Sequence, residues 1–436
     1  MNPMTKLGRA LPPGIKLVAA GTVVLGAASY VHLAVAGHSL STKDMAGLSV
    51  LWTIVMSIGM GLFFPLEQEL TRIVAARAVH GEGAAPVLRR AAVLTCGFLA
   101  VVLGLVAGLA RPLADRFFHG DLQLVWALGG AFVGLALTFM TRGVLAGLGR
   151  FNAYGAQLAI DGGLRILLAL VCGIAGLHSA LAFSLILVIA PLVAFAVTLP
   201  TTVRASLPGP PISWPDLVRG FGPLIGSTLL AQMMVNAVVV STQLLAPTEV
   251  ALVAALLNAL VLARVPLFVF AALQASLLSG LASAVAAGDH GGFRQMLRKA
   301  CLVVTLLSCC GGVPAVLIGP WLIHLLFAAP DVLTRVDFLW LSLGTLCYLL
   351  AQVLGQGLIV QHRHRAQLAS WLVGTAVLCG TTFLPGGIAI RVTVAFTAGT
   401  ATTALAMLWA LTRRAASATR SDDTSAAQQA PAVRAS

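Results

Sequence analysis

Apolar residues in this chain come in runs of about twenty, separated by short polar segments. Each run is long enough to cross the hydrocarbon layer of a bilayer as a helix. Twelve helices are predicted, near 14–37, 45–66, 91–110, 122–146, 153–176, 179–200, 221–245, 249–271, 300–324, 336–360, 366–386 and 391–412. The eighth pattern continues to about Val285, so that helix is predicted to project beyond the bilayer.

The pattern is written twice. Leu88-Arg89-Arg90-Ala91 returns as Leu297-Arg298-Lys299-Ala300, and Phe117 with Asp121 returns as Phe327 with Asp331. Gly147-Leu148 followed by Ala156-Gln157-Leu158-Ala159 returns as Gly357-Leu358 followed by Ala366-Gln367-Leu368-Ala369, at an offset of 209 to 210 throughout. Six runs per copy is an even number, so both copies enter the membrane from the same side. The predicted fold is an all-α polytopic membrane protein of about 12 transmembrane helices in two six-helix lobes, an internal parallel repeat about an axis along the membrane normal. The lobes are expected at 1–200 and 221–414. Between them, 201–220 is a linker stiffened by Pro208, Pro210, Pro211 and Pro215, with Trp214 at the interface. The Ala/Ser/Thr-rich segment 415–436 is expected to be a disordered cytoplasmic tail.

Composition agrees with a membrane chain: 59% of residues are hydrophobic and 9% charged, where a soluble protein carries about a quarter as charges. The net charge of +13 would suit nucleic acid if it were concentrated. Instead it is spread thinly between apolar runs, which excludes that partner. With the N-terminus inside, the inside segments hold twenty Lys and Arg and the outside segments five. The positive-inside rule therefore places both termini in the cytoplasm and the chain in the inner membrane. Lys6, Arg9 and Lys16 precede an apolar stretch that resembles a signal peptide. That stretch runs about twenty residues and is read as the first membrane helix. The seven cysteines fall inside apolar runs without metal-ligand spacing, so no metal or other cofactor is expected. Loops are short, the longest outside running from about Arg111 to Asp121, and there is no Walker A pattern. An enzyme is not expected.

Ionisable side chains inside such helices each need a reason. Asp161 and Arg165 lie one turn apart in the fifth span, where they can pair; the result is either a packing ion pair or an arginine facing a watery cavity, with Asp161 holding it or titrating. Arg264 in the eighth span has no acid within a turn, and Pro266 two residues on frees a backbone carbonyl. Two cations from opposite lobes would suit an anionic headgroup such as a phosphate. Gln232, Asn236, Ser241, Thr242 and Gln243 in the seventh span and Asn258 in the eighth are helix glue or contacts to substrate hydroxyls. Tyr30 and His32 are interface anchors or ligands. Glu67, Gln68, Glu69 and Arg72 end the second span at the cytoplasmic side, where they either latch the lobes through Arg residues on facing loops or are solvated. His362-Arg363-His364-Arg365 reads as a solvated loop touching anionic lipid.

Three stretches carry a family resemblance: Phe64-Pro65-Leu66-Glu67-Gln68-Glu69-Leu70-Thr71-Arg72, Arg142-Gly143-Val144-Leu145-Ala146-Gly147-Leu148-Gly149-Arg150-Phe151, and Ala263-Arg264-Val265-Pro266-Leu267-Phe268 with Ala287-Gly288-Asp289 after it. They resemble the polysaccharide transporter branch of the multidrug/oligosaccharidyl-lipid/polysaccharide exporter superfamily. Where members of that family often have a proline after span eight, this chain reads Ser279-Gly280-Leu281. The resemblance implies a V-shaped alternating-access transporter that flips a lipid-linked oligosaccharide (polyprenyl-phosphate type) from the inner to the outer leaflet for surface polysaccharide. A glycan polymerase or glycosyltransferases would be its partners. Two alternatives stand beside it: a small-molecule or drug antiporter of the same superfamily, and a non-transporting scaffold for glycan assembly. No carboxylate lies in the first span, and Arg264 would repel a cationic drug.

Overall fold

The computed structural model describes residues 14–245, 265–327 and 333–428, together with 256 and 259. In chain order the helices are α1 (Ile15–Ser39), α2 (Thr42–Ile54), a π-helical stretch (Val55–Gly59), α3 (Met60–Val79), α4 (Ala85–Gly108), α5 (Ala110–Phe117), α6 (Leu122–Gly147), α7 (Phe151–Ile174), α8 (Ala180–Ala205), α9 (Trp214–Val218), α10 (Phe221–Leu245), α11 (Val265–Ala286), α12 (His290–Phe327), α13 (Arg335–Val360), α14 (His364–Thr382) and α15 (Ile388–Gln428). There is no strand among the described residues. Eleven of the described helical stretches are long and apolar enough to cross a membrane. α14 stands at another of the twelve expected spans, and most of 249–264 lies outside the described residues. This is a multi-pass membrane protein.

Polar residues start several of these helices. Asp121 accepts from the Gln123 N–H at 2.8 Å, and Thr334 with Asp337 forms a reciprocal cap on α13. The outward faces stay apolar, as lipid requires: Ile174 is 88% exposed and Phe383 76%.

Close approach inside each half depends on small residues. A Cβ on Gly143 would meet the Glu67 carbonyl oxygen at 2.8 Å, and one on Gly162 would meet the α1 backbone at Leu25 at 2.6 Å. These glycines seat α3 on α6 and α1 on α7. Gly162 is therefore used for helix packing, whereas Gly163 faces open space.

Several boundaries differ from those the sequence predicts. The second helical run does not end at 66 but continues through Pro65 to Val79, so Glu67 to Arg72 lie within a buried helix. The ninth begins at His290, nearly three turns before 300. The last helix continues to Gln428, past Arg414, where a disordered tail is expected. That segment is rich in alanine and free of Pro and Gly until Pro431, a composition that favours helix. The repeat also takes a different register at one turn. His362 (φ 57°) ends α13 as Gly149 (φ 67°) ends α6. The following N–H, of Arg363 or Arg150, returns to the carbonyl of Leu358 or Leu145. The 210-residue landmarks do not pair these positions.

The segment 206–213 is strapped to the first half. Ala85 donates its N–H to the Leu207 carbonyl at 3.0 Å, Arg77 donates to the Pro210 carbonyl, and the Arg90 guanidinium lies 5.3 Å from the Trp214 ring centre. Among the described residues, contacts between the halves reach from the middle of the second helical run, where Leu229 packs on Gly61, to one end of it. Leu224, Leu278, Leu281, Ile359 and Val360 pack with Ala75 there, Phe221 lies edge-on to Phe98, and Ala275 joins Val18, Tyr154 and Leu158.

Candidate functional site

The first candidate is an ionic cluster inside the first half. Arg165 donates from Nε to Asp161 Oδ1 at 2.8 Å and from Nη2 to Oδ2 at 3.3 Å. The i,i+4 spacing on α7 makes this pair, as the sequence predicts. A third member joins from α6: Arg142 Nη2 donates to Asp161 Oδ2 at 3.2 Å, with its guanidinium 5.7 Å from the Phe139 ring centre. Asp161, Arg165 and Arg142 are 2%, 3% and 4% exposed, so none lines an open cavity in this state. Two guanidiniums share one carboxylate within ion-pair distance, and the next buried carboxylate, Glu67, lies near Arg142. Arg142 is thus not one of the cytoplasmic loop charges among which the positive-inside count places it, because α6 runs on to Gly147 and buries it.

The cluster continues along the buried face of α7. Gln157 donates from Nε2 to Thr141 Oγ1 at 2.8 Å, and Tyr154 donates its hydroxyl to Glu67 Oε1 at 2.7 Å. Glu67 has no cation within ion-pair distance among the described residues. Tyr154 also belongs to the apolar cluster reached by Ala275 of the second half, so this carboxylate sits close to the seam. Gln68 is buried, and its Oε1 has no hydrogen-bond partner among the described residues.

The second candidate is at the seam itself. Arg72 grips Glu69 with two bonds, Nη2 to Oε1 at 2.6 Å and Nε to Oε2 at 3.1 Å. Its remaining Nη1 lies 3.0 Å from His362 Nε2 of the second half, and His364 Nε2 lies 3.8 Å from Glu69 Oε2. Of the four residues expected at this gate, Glu69 and Arg72 therefore meet the second half, through histidines and not through arginines. The loop 362–365 is not simply solvated, because His364 is buried where the halves fold against each other and His362, though its side chain stays exposed, reaches Arg72. Burial, and then the adjacent Arg72, hold the His362 pKa below its ordinary value, so His362 presents a neutral ring that accepts from Arg72. Arg363 turns away and donates to the Ala410 carbonyl.

The remaining candidates are dispersed. Asn236 donates to the Gln232 carbonyl of its own helix at 2.8 Å, and both side chains are half-buried. Arg264 and Asn258 lie outside the described residues, as does the side chain of Gln243. His32 is fully buried and bonded at 3.0 Å to the Phe183 carbonyl, while Tyr30 is exposed. Sequence reasoning missed Arg142, Tyr154 and His362 as site residues. The first had a signal, an arginine following an apolar run with no break. The other two had none, since their partners lie far away in sequence. No group of three or more His, Cys, Asp or Glu that could hold a metal occurs among the described residues.

Comparison with known proteins bears on this architecture. No family model matches the chain. Two proteins of Mycobacterium tuberculosis, the uncharacterized proteins Rv1510 and MT1558/MT1560, are each 26% identical over 417 residues, covering 91% of this chain and 92% of theirs. Among solved structures, a mutant of the Vibrio cholerae MATE transporter VcmN superposes with a TM-score of 0.75 at 16% identity, covering 92% of this chain and 95% of that one. An outward-facing multidrug resistance MATE transporter of the MOP superfamily gives 0.73 at 14%, over 92% and 96%. The eukaryotic MATE transporter AtDTX14 gives 0.68 at 14%, over 91% and 94%. The fold is thus that of the MATE transporters.

Proposed function

We propose that this protein is a non-enzymatic exporter of the cell inner membrane that works by alternating access, with both termini in the cytoplasm. The observation that carries the reading is the seam at one end, where Glu69 and Arg72 meet His362 and His364. A rigid seal at one end of two packed bundles is the element that rocking would break and remake. The positive-inside rule assigns that end to the cytoplasm, which makes this state outward-facing.

The cargo has two readings. Likeness in fold to multidrug MATE transporters supports a small-molecule or drug antiporter, and this is the reading the comparisons favour. The charges narrow it. α1 carries no carboxylate, which disfavours a cationic drug, and Arg142 and Arg165, buried in this state, would suit a molecule bearing an anionic group if the transport cycle uncovers them. A lipid-linked oligosaccharide, to which the sequence resemblance points, is the second reading. Its polyprenyl phosphate would supply the anion, and negative-inside potential would favour its outward movement by about 2.3 kcal/mol per charge per 100 mV.

One experiment separates them. In a strain lacking the gene, surface glycan and lipid-linked oligosaccharide on the cytoplasmic face are measured beside sensitivity to anionic and cationic toxic compounds. Wild type and Arg165→Gln are then reintroduced. Accumulated oligosaccharide restored by wild type identifies a flippase. Changed sensitivity with normal glycan identifies a small-molecule exporter. If neither changes, the export reading fails.

A further inference from the structure

We infer that the basic notch at the start of α12 binds the phosphate headgroup of an anionic lipid. Asp289 opens this helix by accepting from the Gly292 N–H at 2.7 Å. Beyond that cap, Arg294, Gln295, Arg298 and Lys299, with Gly291 and Leu302, line a shallow open groove of about 400 Å³ along one face of the helix. Arg294 and Arg298 are four residues apart, as are Gln295 and Lys299, so their side chains share one face of the helix. All three cations are exposed, and none has a carboxylate within ion-pair distance among the described residues. The next turn and a half presents Leu302, Val303 and Leu306 outward, 58%, 44% and 56% exposed. A headgroup held by the cations would leave its acyl chains lying along that apolar face.

The first half supplies an internal comparison. α4 stands at the matching place in the repeat and carries Arg89 and Arg90. There the chain covers its own corner. Trp214 lies under Arg90, and the backbone at Leu207 is bonded to Ala85. A Cβ on Gly83 would collide with the Leu207 and Pro208 carbonyl oxygens, so the strap lies directly on the turn. Among the described residues, no segment covers α12 in this way. Three adjacent cations repel one another unless an anion sits between them. At the membrane end that is rich in Lys and Arg, an abundant anion is the lipid phosphate of the cytoplasmic leaflet. An arginine fork and an amide are well shaped for phosphate oxygens. The notch opens beside lipid-facing Leu302, which favours a lipid over a free anion.

The site lies on the outer face of the second half, and its existence does not depend on what the protein exports. The test uses the full chain in nanodiscs of phosphatidylcholine with a minority of phosphatidylglycerol, and native mass spectrometry to count retained lipids. Wild type should retain phosphatidylglycerol over phosphatidylcholine by roughly tenfold or more. The triple variant Arg294→Gln, Arg298→Gln, Lys299→Gln should lose that preference. Arg89→Gln, equally exposed but on the strapped half, should keep it. These residues are exposed, so folding should survive, and a thermal melt of each variant checks that. Equal retention in wild type and triple variant would overturn the inference. So would displacement of phosphatidylglycerol by inorganic phosphate, which would make the notch a soluble-anion site.

Discussion

Arg72 Nη1 lies 3.0 Å from His362 Nε2, a contact between residues 290 positions apart that ties the second helical run to the turn after α13. Glu69 completes it by holding the guanidinium in a two-bond grip. Removing Glu69 would leave a buried guanidinium without its counter-charge, and breaking a buried pair in this way costs about 3–5 kcal/mol. In Glu69→Gln the closed seam should therefore lose population to the open one. Reaction of a cysteine placed at Ala75, buried at the seam, with a water-soluble maleimide would report it in a cysteine-free background. Faster labelling in Glu69→Gln is expected, and unchanged labelling would show that the apolar contacts alone close the seam.

The same seam should respond to pH in a defined direction. The His362 pKa is lowered in the closed state, first by burial and then by Arg72, with Glu69 and Asp216 opposing and Arg219 adding to the effect. His364 faces the same carboxylate of Glu69. In an opened seam His362 would regain its ordinary value, about 6.5. The state with the lower pKa binds fewer protons, so closure is at full strength above about pH 6.5 and weakens as pH falls below it. Acidifying the face that holds the seam should speed maleimide labelling at Ala75→Cys. The acceleration should be much reduced in His362→Gln. Labelling that slows on acidification would reverse the sign of this argument.

His362 also occupies a left-handed backbone position, φ 57°, where a side chain costs about 1 kcal/mol relative to glycine. Gly149 holds the matching turn of the first half without that cost. His362→Gly should relax the turn while removing the ring that accepts from Arg72. The expected result is an unchanged or slightly higher thermal midpoint together with faster labelling at the seam. A fall in both measures would mean that the histidine side chain also supports the turn.

Much of this architecture was legible in the chain because membrane helices announce themselves by length and hydropathy. The duplication was visible in paired landmarks such as Gly147-Leu148 and Gly357-Leu358. Asp161 and Arg165 were legible as a pair because helical spacing alone brings them together. Arg142 was not read as their partner, although its place in an unbroken run was a signal, because helical spacing within one helix says nothing of a contact made from a neighbouring one. His362 and His364 read as loop residues for a related reason. Their contacts with Glu69 and Arg72 arise only when two halves distant in sequence close on each other. The α6–α7 turn register was hidden too, since side-chain similarity favours one alignment and backbone geometry another.

Whether the ionic cluster serves packing or transport can be decided by its charge balance. Asp161→Asn leaves Arg142 and Arg165 buried without the carboxylate they share, and should cost about 3–5 kcal/mol or prevent accumulation of the protein. Arg142→Gln removes the 3.2 Å contact, the charge and the approach to the Phe139 ring, leaving the Arg165 pair intact, and should cost about 1–3 kcal/mol. The variant Arg142→Gln, Asp161→Asn, Arg165→Gln keeps similar volumes without any ion. It should melt within a few degrees of wild type, because the desolvation cost of the ions disappears along with their attraction. Export by that variant then separates the two roles. A stable neutral variant that exports normally makes the cluster a packing device. A stable neutral variant that exports nothing, with export regained on restoring Arg165 and Asp161 together, makes the charges part of the transport cycle.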